Sequence, residues 1–317
     1  MDNSAGRVLG TSNLFTNKNI NLNDSKMTVA TTVYKLINYY TQRYTFPHKG
    51  WKYFHRWLKF WQLDRKEYRK KLPNDTFIFV TPSDHIQQQL FWYGNYEKPV
   101  GLLLEKLTQP GSVVIDIGAN IGYFTLVAAQ KATNGKVFSF EPVQQLFEKL
   151  KKNIEENKLA NTEIFLLAIG DLHKDSVIYI SSSENIGMSS LSPPENFSGV
   201  SQSIQMNSLD NWIKTSDIKK ADIIKLDIEG SELSALKGMK ETLIKFKPAL
   251  IVEINPETLS YFDLAPSDIL DYLKNLDYLP FHVSENGFLS KMEKISAQEN
   301  ITFIHSSKIN EYDRCFP

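Results

Sequence analysis

The sequence predicts an α/β protein with a doubly wound parallel sheet. Short apolar runs alternate with segments of helical periodicity from Val113 onward, the pattern that successive βαβ units produce. The first run passes directly into the turn Gly118-Ala-Asn-Ile-Gly122, and acidic residues follow several of the later runs. We therefore expect helices on both faces of one sheet and a ligand crevice at the carboxyl ends of its strands.

The chain before this alternating pattern has a different character. Residues 1–26 are rich in Asn, Ser and Thr and have little periodic hydrophobicity, so we expect a disordered leader. A helical pattern follows over residues 28–44. We predict an N-terminal helical appendage over residues 27–72 and the main domain over residues 73–317.

A second helix is predicted directly after Gly50. Between Arg43 and Lys71 there are ten Lys or Arg residues and two acids, and the helix has a wide aromatic face. Its apolar residues at helical spacing are Trp51, Phe54, Trp57, Leu58 and Trp61. Such a segment suits peripheral contact with an anionic membrane through residues 43–71. The alternative that we favour is that the aromatic rings pack on the main domain while the basic residues lie in solvent.

The main domain begins with a strand at 76–80 and a helix at 99–107. Its core strands are predicted at 113–117, 136–140, 164–168, 222–227 and 248–254, with an additional strand at 176–180 and late strands at 279–283 and 301–305. Residues 181–203 are rich in Ser, Pro and Gly and are predicted to form a long loop. A loop of this length is often functional, so a lid over the substrate is one interpretation, with Asn185, Gly187, Ser189 and Ser190 as its members.

The glycine turn predicts a cofactor site. Asp116 ends the first core strand, and Gly118 and Gly122 flank Asn120, which occupies the middle position where a dinucleotide-binding turn has glycine. This difference argues against NAD. Exposed amides at a helix start beside a strand-end acid suit a ligand with an amino and a carboxylate group, such as the methionine half of S-adenosylmethionine.

The ends of the next strands extend this site. Glu141 lies about twenty residues downstream, at the offset where an acid accepts hydrogen bonds from ribose hydroxyls. Ala168 and Ile169, after the third strand, are expected near the adenine. Further along, Asp227, Glu229 and Glu232 follow the strand at 222–227.

Composition limits the function classes. The chain has 317 residues, 42% of them hydrophobic, and no net formal charge, so a large core is expected and nucleic acid is disfavoured as a partner. Cys315 is the single cysteine, which excludes an internal disulfide and a Cys-based zinc site and favours a cytoplasmic setting, with membrane association left open.

Four motifs together resemble the FkbM-type S-adenosylmethionine-dependent methyltransferases. They are Val-Ile-Asp-Ile-Gly-Ala-Asn-Ile-Gly-Tyr-Phe-Thr125, Ser-Phe-Glu-Pro142, Leu-Ala-Ile-Gly-Asp171 and Ile-Lys-Leu-Asp-Ile-Glu-Gly-Ser-Glu-Leu-Ser-Ala-Leu-Lys-Gly238. The similarity covers residues 96–304. It implies a class I methyltransferase (Rossmann-like) sheet with an antiparallel last strand, and O-methylation of a hydroxyl on a sugar, glycan or polyketide-like acceptor.

Methyl transfer to an alcohol requires a base, because a hydroxyl is too weakly acidic to attack as an alkoxide at neutral pH. Asp227 and Glu229 are the catalytic candidates, and the sequence leaves open which of them is the base. Glu232 is interpreted as a residue that opens a helix. A divalent ion held by Asp227, Glu229 and Glu253 is a further alternative, although we assign no resident metal. His282 and His305 end late strands, but surface or packing roles are favoured for both.

Two other classes of function compete with methyl transfer. A nicotinamide-dependent oxidoreductase is disfavoured by Asn120. A non-catalytic S-adenosylmethionine-binding or scaffold protein remains an alternative, because a fold does not fix a function.

Overall fold

The computed structural model describes residues 31–33, 35–36, 39, 51–180, 189–192, 197, 199–292 and 298–317. The predicted leader lies outside this part of the chain, as does most of the helix predicted at 28–44. The described residues between 31 and 39 are helical.

Thirteen strands and ten α-helices follow in the described ranges. The strands are β1 Tyr68–Lys71, β2 Phe77–Val80, β3 Val113–Ile117, β4 Lys136–Phe140, β5 Thr162–Phe165, β6 Ala168–Ile169, β7 Lys174–Ile180, β8 Val200–Asn207, β9 Ile223–Leu226, β10 Ala249–Ile254, β11 Tyr278–Val283, β12 Leu289–Lys291 and β13 Glu299–His305. The helices are α1 Trp51–Phe60, α2 His85–Tyr93, α3 Lys98–Leu107, α4 Tyr123–Lys131, α5 Gln144–Glu156, α6 Leu209–Thr215, α7 Glu232–Gly238, α8 Lys240–Phe246, α9 Pro256–Ser260 and α10 Pro266–Lys274. 3₁₀ helices lie at Leu63–Arg65 and Ser306–Cys315.

The main sheet has the order β12-β11-β13-β10-β9-β3-β4-β5. The five strands from β10 to β5 are parallel, whereas β13 runs antiparallel between β10 and β11. From β3 the chain proceeds outward to β4 and β5 and then returns to β9 on the other side, so the strand order reverses between β3 and β9. The predicted α/β class, the doubly wound sheet and the antiparallel last strand are confirmed.

Side chains of alternate strand positions pack on opposite faces of this sheet. Ile115 and Ile117 of β3 face a cluster that includes Trp212, Leu236 and the helices from α6 to α10. Val114, one position before Ile115, faces the opposite cluster with α3 and α4. This alternation is the expected period of two for a strand covered on both faces, and it explains why the core strands read as continuous apolar runs.

A second sheet corrects the predicted third strand and the predicted loop. The prediction of one strand at 164–168 is wrong, because the chain breaks there into β5, in the main sheet, and β6, which pairs with β8. β8 also begins within the predicted loop, at Val200, and pairs antiparallel with the whole length of β7. The alternating burial of β8 is the half-buried strand pattern that the serine content obscured.

The N-terminal elements pack against α2 and α5. Leu58 of α1 and Leu63 lie in one buried cluster with Ile78 and Leu90. β1 pairs with β2 across the predicted boundary at residue 72. The division into an appendage and a main domain stays a prediction. No helix among the described residues is long and apolar enough to cross a bilayer.

Candidate active site

A cavity lies at the carboxyl ends of β3, β4, β6 and β9, where the strand order reverses. Its empty volume is about 940 Å³, which includes the open solvent at its mouth. Most of the predicted site residues line it, namely Gly118, Asn120, Glu141, Ala168, Ile169, Asp227 and Glu229. The other two, Asp116 and Gly122, lie behind its wall.

Gly118 brings the ends of β3 and β9 into direct backbone contact. Its φ angle is 81°, and a Cβ atom at this position would overlap the carbonyl oxygen of Asp227. Only glycine accepts both the backbone angle and the close approach. Gly122 has a φ angle of 93° and starts α4, where it packs on Leu150. The two glycines therefore shape the turn from different sides.

Glu141 is tied to the glycine turn by its carboxylate. Its Oε2 accepts a hydrogen bond from the Asn120 amide at 2.8 Å, and its Oε1 accepts one from the Val143 amide at 2.8 Å. Burial raises the pKa of Glu141 to about 7, although these two amides oppose the shift. Each carboxylate oxygen has a second lone-pair direction, and the residue lines the cavity. Glu141 can therefore accept hydrogen bonds from a ligand while it holds the turn.

Asp116 is placed behind the turn. Its Oδ2 accepts a hydrogen bond from the Thr125 hydroxyl at 2.6 Å, and the side chain is almost fully buried. Burial raises the pKa of this carboxyl, and Lys225 counteracts that effect. Because the neighbouring Ile117 turns toward the opposite face, Asp116 points toward α4. Its direct contact with a cofactor remains a prediction.

A buried ion pair lies at the other end of the cavity. Lys225 Nζ is 2.8 Å from Asp227 Oδ2, and the lysine side chain is 1% exposed. Burial by itself would raise the pKa of Asp227, but the Lys225 ammonium lowers it below its ordinary value. Asp227 is therefore ionised at neutral pH.

Further carboxyl groups surround this pair. Burial, followed by the charge of Asp227, raises the pKa of Glu253 to about 11, and the two side chains are hydrogen-bonded. Burial and Asp227 also raise the pKa of Glu229 to about 8 and that of Glu97 to about 7. The single positive charge of Lys225 does not balance the negative charges that these carboxyl groups would carry together. Several of the carboxyl groups therefore hold protons at neutral pH.

The sequence reasoning missed two members of this region. Tyr96 lines the cavity, and the carboxylate of Glu97, at the start of α3, accepts a hydrogen bond from the side-chain amide of Asn300 at 3.0 Å. Neither Tyr96 nor Glu97 belongs to a sequence motif. Asn300 lies about two hundred residues from Glu97 in the chain, and the sheet places the two side chains in contact. Glu97 has a φ angle of 41°, but that strain is not visible in the sequence.

The predicted lid and the acid Glu232 have definite contacts. Ser189 lines the cavity and the Ser190 hydroxyl donates to the Glu229 carbonyl at 3.1 Å, whereas Asn185 and Gly187 lie outside the described residues. Glu232 accepts hydrogen bonds from the Ile228 and Gly230 amides at the start of α7. These hydrogen bonds agree with the interpretation of Glu232 as the residue that begins a helix.

Two predicted alternatives also have definite positions. Ligand atoms of Asp227, Glu229 and Glu253 lie within 4.8 Å of one another, so the three carboxylates could hold a divalent ion, for which oxygen ligands are suited.

His282 contacts Glu299, and His305 accepts a hydrogen bond from the Ser307 amide. Neither histidine lines the cavity.

Comparison with known proteins identifies the family. Residues 116–280, more than half of the chain, match the model of the methyltransferase FkbM domain. The chain is 24% identical to the 2-O-methyltransferase NoeI of Sinorhizobium fredii over 188 residues, which are 55% of this chain and 76% of NoeI. It is 29% identical to the hexuronic acid methyltransferase AglP of Haloferax volcanii over 164 residues, 49% of this chain and 61% of AglP.

A solved structure of an FkbM methyltransferase from Methylobacillus flagellatus KT aligns with 61% of this chain and 43% of its own, at 19% identity and a TM-score of 0.40. The family rests on the sequence match, which contains the glycine turn, Glu141 and the segment from Asp227 to Glu232. The chain belongs to the FkbM methyltransferase family.

Proposed function

We propose that this protein is an S-adenosylmethionine-dependent O-methyltransferase that acts on a hydroxyl group of a sugar, glycan or polyketide-like acceptor. The observation that carries the proposal is one cavity with the Glu141 carboxylate near the glycine turn and the Asp227 and Glu229 carboxylates at another strand end. NoeI and AglP, by their names, are a 2-O-methyltransferase and a hexuronic acid methyltransferase, which favours a sugar acceptor. A cytoplasmic setting belongs to the same proposal.

The cavity residues suit the proposed cofactor. Glu141 offers carboxylate oxygens for two ribose hydroxyls, and apolar side chains beside it suit an adenine ring. Those apolar residues are Val143, Leu146, Ala168, Ile169 and Ile178. Toward β9, Gly118 and Asp227 would border the methionine portion. S-Adenosylmethionine, when bound, supplies a methyl group on a positively charged sulfur.

The electrostatics favour Glu229 over Asp227 as the general base. A base is most effective when its pKa lies near the working pH, and the pKa of Glu229 is raised to about 8. Asp227 is paired with Lys225 and is a weaker proton acceptor. We assign to Glu229 the removal of the acceptor proton and to Asp227 the positioning of the hydroxyl or of the cofactor amine. Precise alignment of the reacting atoms would supply much of the rate enhancement.

A metal-assisted version of the same reaction is the second candidate. The spacing of Asp227, Glu229 and Glu253 favours it, since a divalent ion could bind a diol and lower the pKa of one hydroxyl. In that version the carboxylates would be ligands, and activity would require the ion.

The test combines binding and transfer. Calorimetry with S-adenosylhomocysteine and, separately, NAD would distinguish the cofactor class. Transfer of labelled methyl groups to methyl glycosides of neutral sugars and hexuronic acids would then be followed by mass spectrometry. Mild alkali releases a methyl ester but leaves a methyl ether, so it separates carboxylate from hydroxyl acceptors.

Each result has a defined meaning. Binding of S-adenosylhomocysteine with formation of an alkali-stable product supports the proposal, and loss of turnover on chelation with recovery on adding magnesium assigns the metal-assisted version. Binding without transfer to any acceptor would favour a binding or scaffold protein. Binding of NAD in place of S-adenosylhomocysteine would overturn the cofactor assignment.

A further inference from the structure

Helix α1 buries one side and exposes a second side of unusual composition. Leu58 is fully buried and Trp57 packs partly on the same cluster. On the side opposite Leu58, Tyr53 is 79% exposed and Phe60 is 78% exposed. At 100° per residue these two rings lie within about 20° of each other on the helix. Phe54 and Trp61, of the predicted aromatic face, are 48% and 37% exposed, so Tyr53 and Phe60 are the most exposed of the four aromatic side chains that the fold leaves in water here.

The same outer side is positively charged. Lys52 and Arg56 are exposed and lie on the helix beside the two rings, and residues 51–62 contain no acid. The nearest acids in sequence are engaged elsewhere, because Asp64 is buried and Glu67 forms an ion pair with Lys152. We call Lys52, Tyr53, Arg56 and Phe60 the outer face of α1.

The inner side fixes the orientation of this face. The side-chain amide of Gln88 on α2 contacts the imidazole ring of His55 on α1, with 2.6 Å between the two Nε2 atoms. Helix α1 therefore packs on α2. Ile86, near the start of α2, lines the cavity. A helix anchored in this way presents its outer face away from the domain, with α2 between that face and the cavity.

We propose that the outer face of α1 binds an anionic membrane surface. The amphipathic ring of Tyr53 suits the headgroup level, and the apolar ring of Phe60 leaves water when it enters the lipid interface. Lys or Arg beside them is attracted to anionic lipid headgroups. Packing on the main domain accounts for Trp57 and Leu58, but it leaves Tyr53 and Phe60 exposed. The proposal concerns binding only and is independent of the methyl transfer reaction.

Flotation of the full chain with lipid vesicles tests this surface. The protein should float with vesicles of phosphatidylcholine containing about a third phosphatidylglycerol and should float far less with pure phosphatidylcholine. Binding should weaken as salt is added, because the attraction is electrostatic. Lys52→Gln with Arg56→Gln should lower the partition coefficient about 25-fold, since each neutralised cation weakens binding about fivefold.

The aromatic contribution is tested separately. Tyr53→Ser with Phe60→Ser should weaken partitioning about tenfold or more, because the apolar contact with the lipid is lost. The matched control is Leu172→Ser with Val200→Ser, two residues that are also exposed but lie on the main domain. That control should float like the unmodified protein.

Three outcomes would overturn the proposal. The first is equal flotation with anionic and neutral vesicles, and the second is unchanged flotation of both α1 variants. The third is no flotation together with a dimer in analytical ultracentrifugation that Tyr53→Ser with Phe60→Ser dissociates, which would assign the face to a second copy of the chain. Melting temperatures equal to that of the unmodified protein would show that the variants are folded.

Discussion

The carboxylate of Glu141 should make cofactor binding depend on pH. Burial raises its pKa to about 7 in the free protein, whereas ribose hydroxyls donate hydrogen bonds and favour the ionised form. Binding of S-adenosylhomocysteine should therefore release a proton when the pH is below about 7. The affinity should rise as the pH rises through this value and should then become constant.

The magnitude follows from the pKa. At pH 6 only about one molecule in eleven has Glu141 ionised, and at pH 8 about nine in ten do, so the dissociation constant should fall about tenfold between them. Two hydrogen bonds to a charged group contribute roughly 3 kcal/mol or more, so Glu141→Ala should weaken binding about a hundredfold or more. This substitution also frees the Asn120 and Val143 amides, so part of the loss would come from a less ordered turn.

Isothermal titration calorimetry with S-adenosylhomocysteine at pH 6, 7 and 8, in two buffers with different ionisation enthalpies, measures both the affinity and the released proton. Glu141→Gln should remove the pH dependence while retaining one acceptor oxygen for the backbone. Glu163→Ala, at an exposed acid on the neighbouring β5, is the matched control and should behave like the unmodified protein. An affinity that is constant from pH 6 to pH 8, or full affinity in Glu141→Ala, would refute the assignment.

Three further predictions concern the turn, the acid cluster and the chemical step. Gly118 and Gly111 have similar φ angles, 81° and 83°, but an added Cβ meets the Asp227 carbonyl at Gly118 and has nothing within 4 Å at Gly111. The free energy of unfolding, measured in urea, should therefore fall by about 1 kcal/mol for Gly111→Ala and by several kcal/mol for Gly118→Ala. The pKa of Glu253 is raised in the folded state to about 11, so its contribution to stability is complete below its unfolded pKa and is lost as the pH rises toward 11. The unfolding free energy should therefore fall between pH 6 and pH 9, and Glu253→Gln should reduce that slope by at most about 1.4 kcal/mol per pH unit. Glu229→Gln should lower kcat by about a hundredfold or more with little change in affinity for S-adenosylhomocysteine. In the unmodified protein, kcat/KM should rise with pH to a plateau above about pH 8. Full turnover by Glu229→Gln would transfer the role of base to Asp227 or to a bound metal.

The sequence by itself determined the architecture and most of the cavity wall. Apolar runs identify the parallel core strands, because both faces of those strands are buried. The turn from Gly118 to Gly122 and the acid Glu141 are recognisable since their geometry is encoded within a few consecutive residues and a fixed offset. Where this local signal was weak, as between β5 and β6 or in serine-rich β8, the predicted elements were wrong.

The tertiary structure alone decided which groups meet and in what state of charge. Nothing near Glu253 in the chain indicates that it shares a hydrogen bond with Asp227, a contact that depends on β10 lying beside β9. Nothing near Asn300 indicates that it reaches Glu97, a contact that depends on β13 lying beside β10. Burial and neighbouring charges then set the different pKa values of Asp227 and Glu229, although the two residues are separated by a single position. The same holds for α1, whose amphipathic pattern is local, whereas packing on α2 decides which of its aromatic rings are buried.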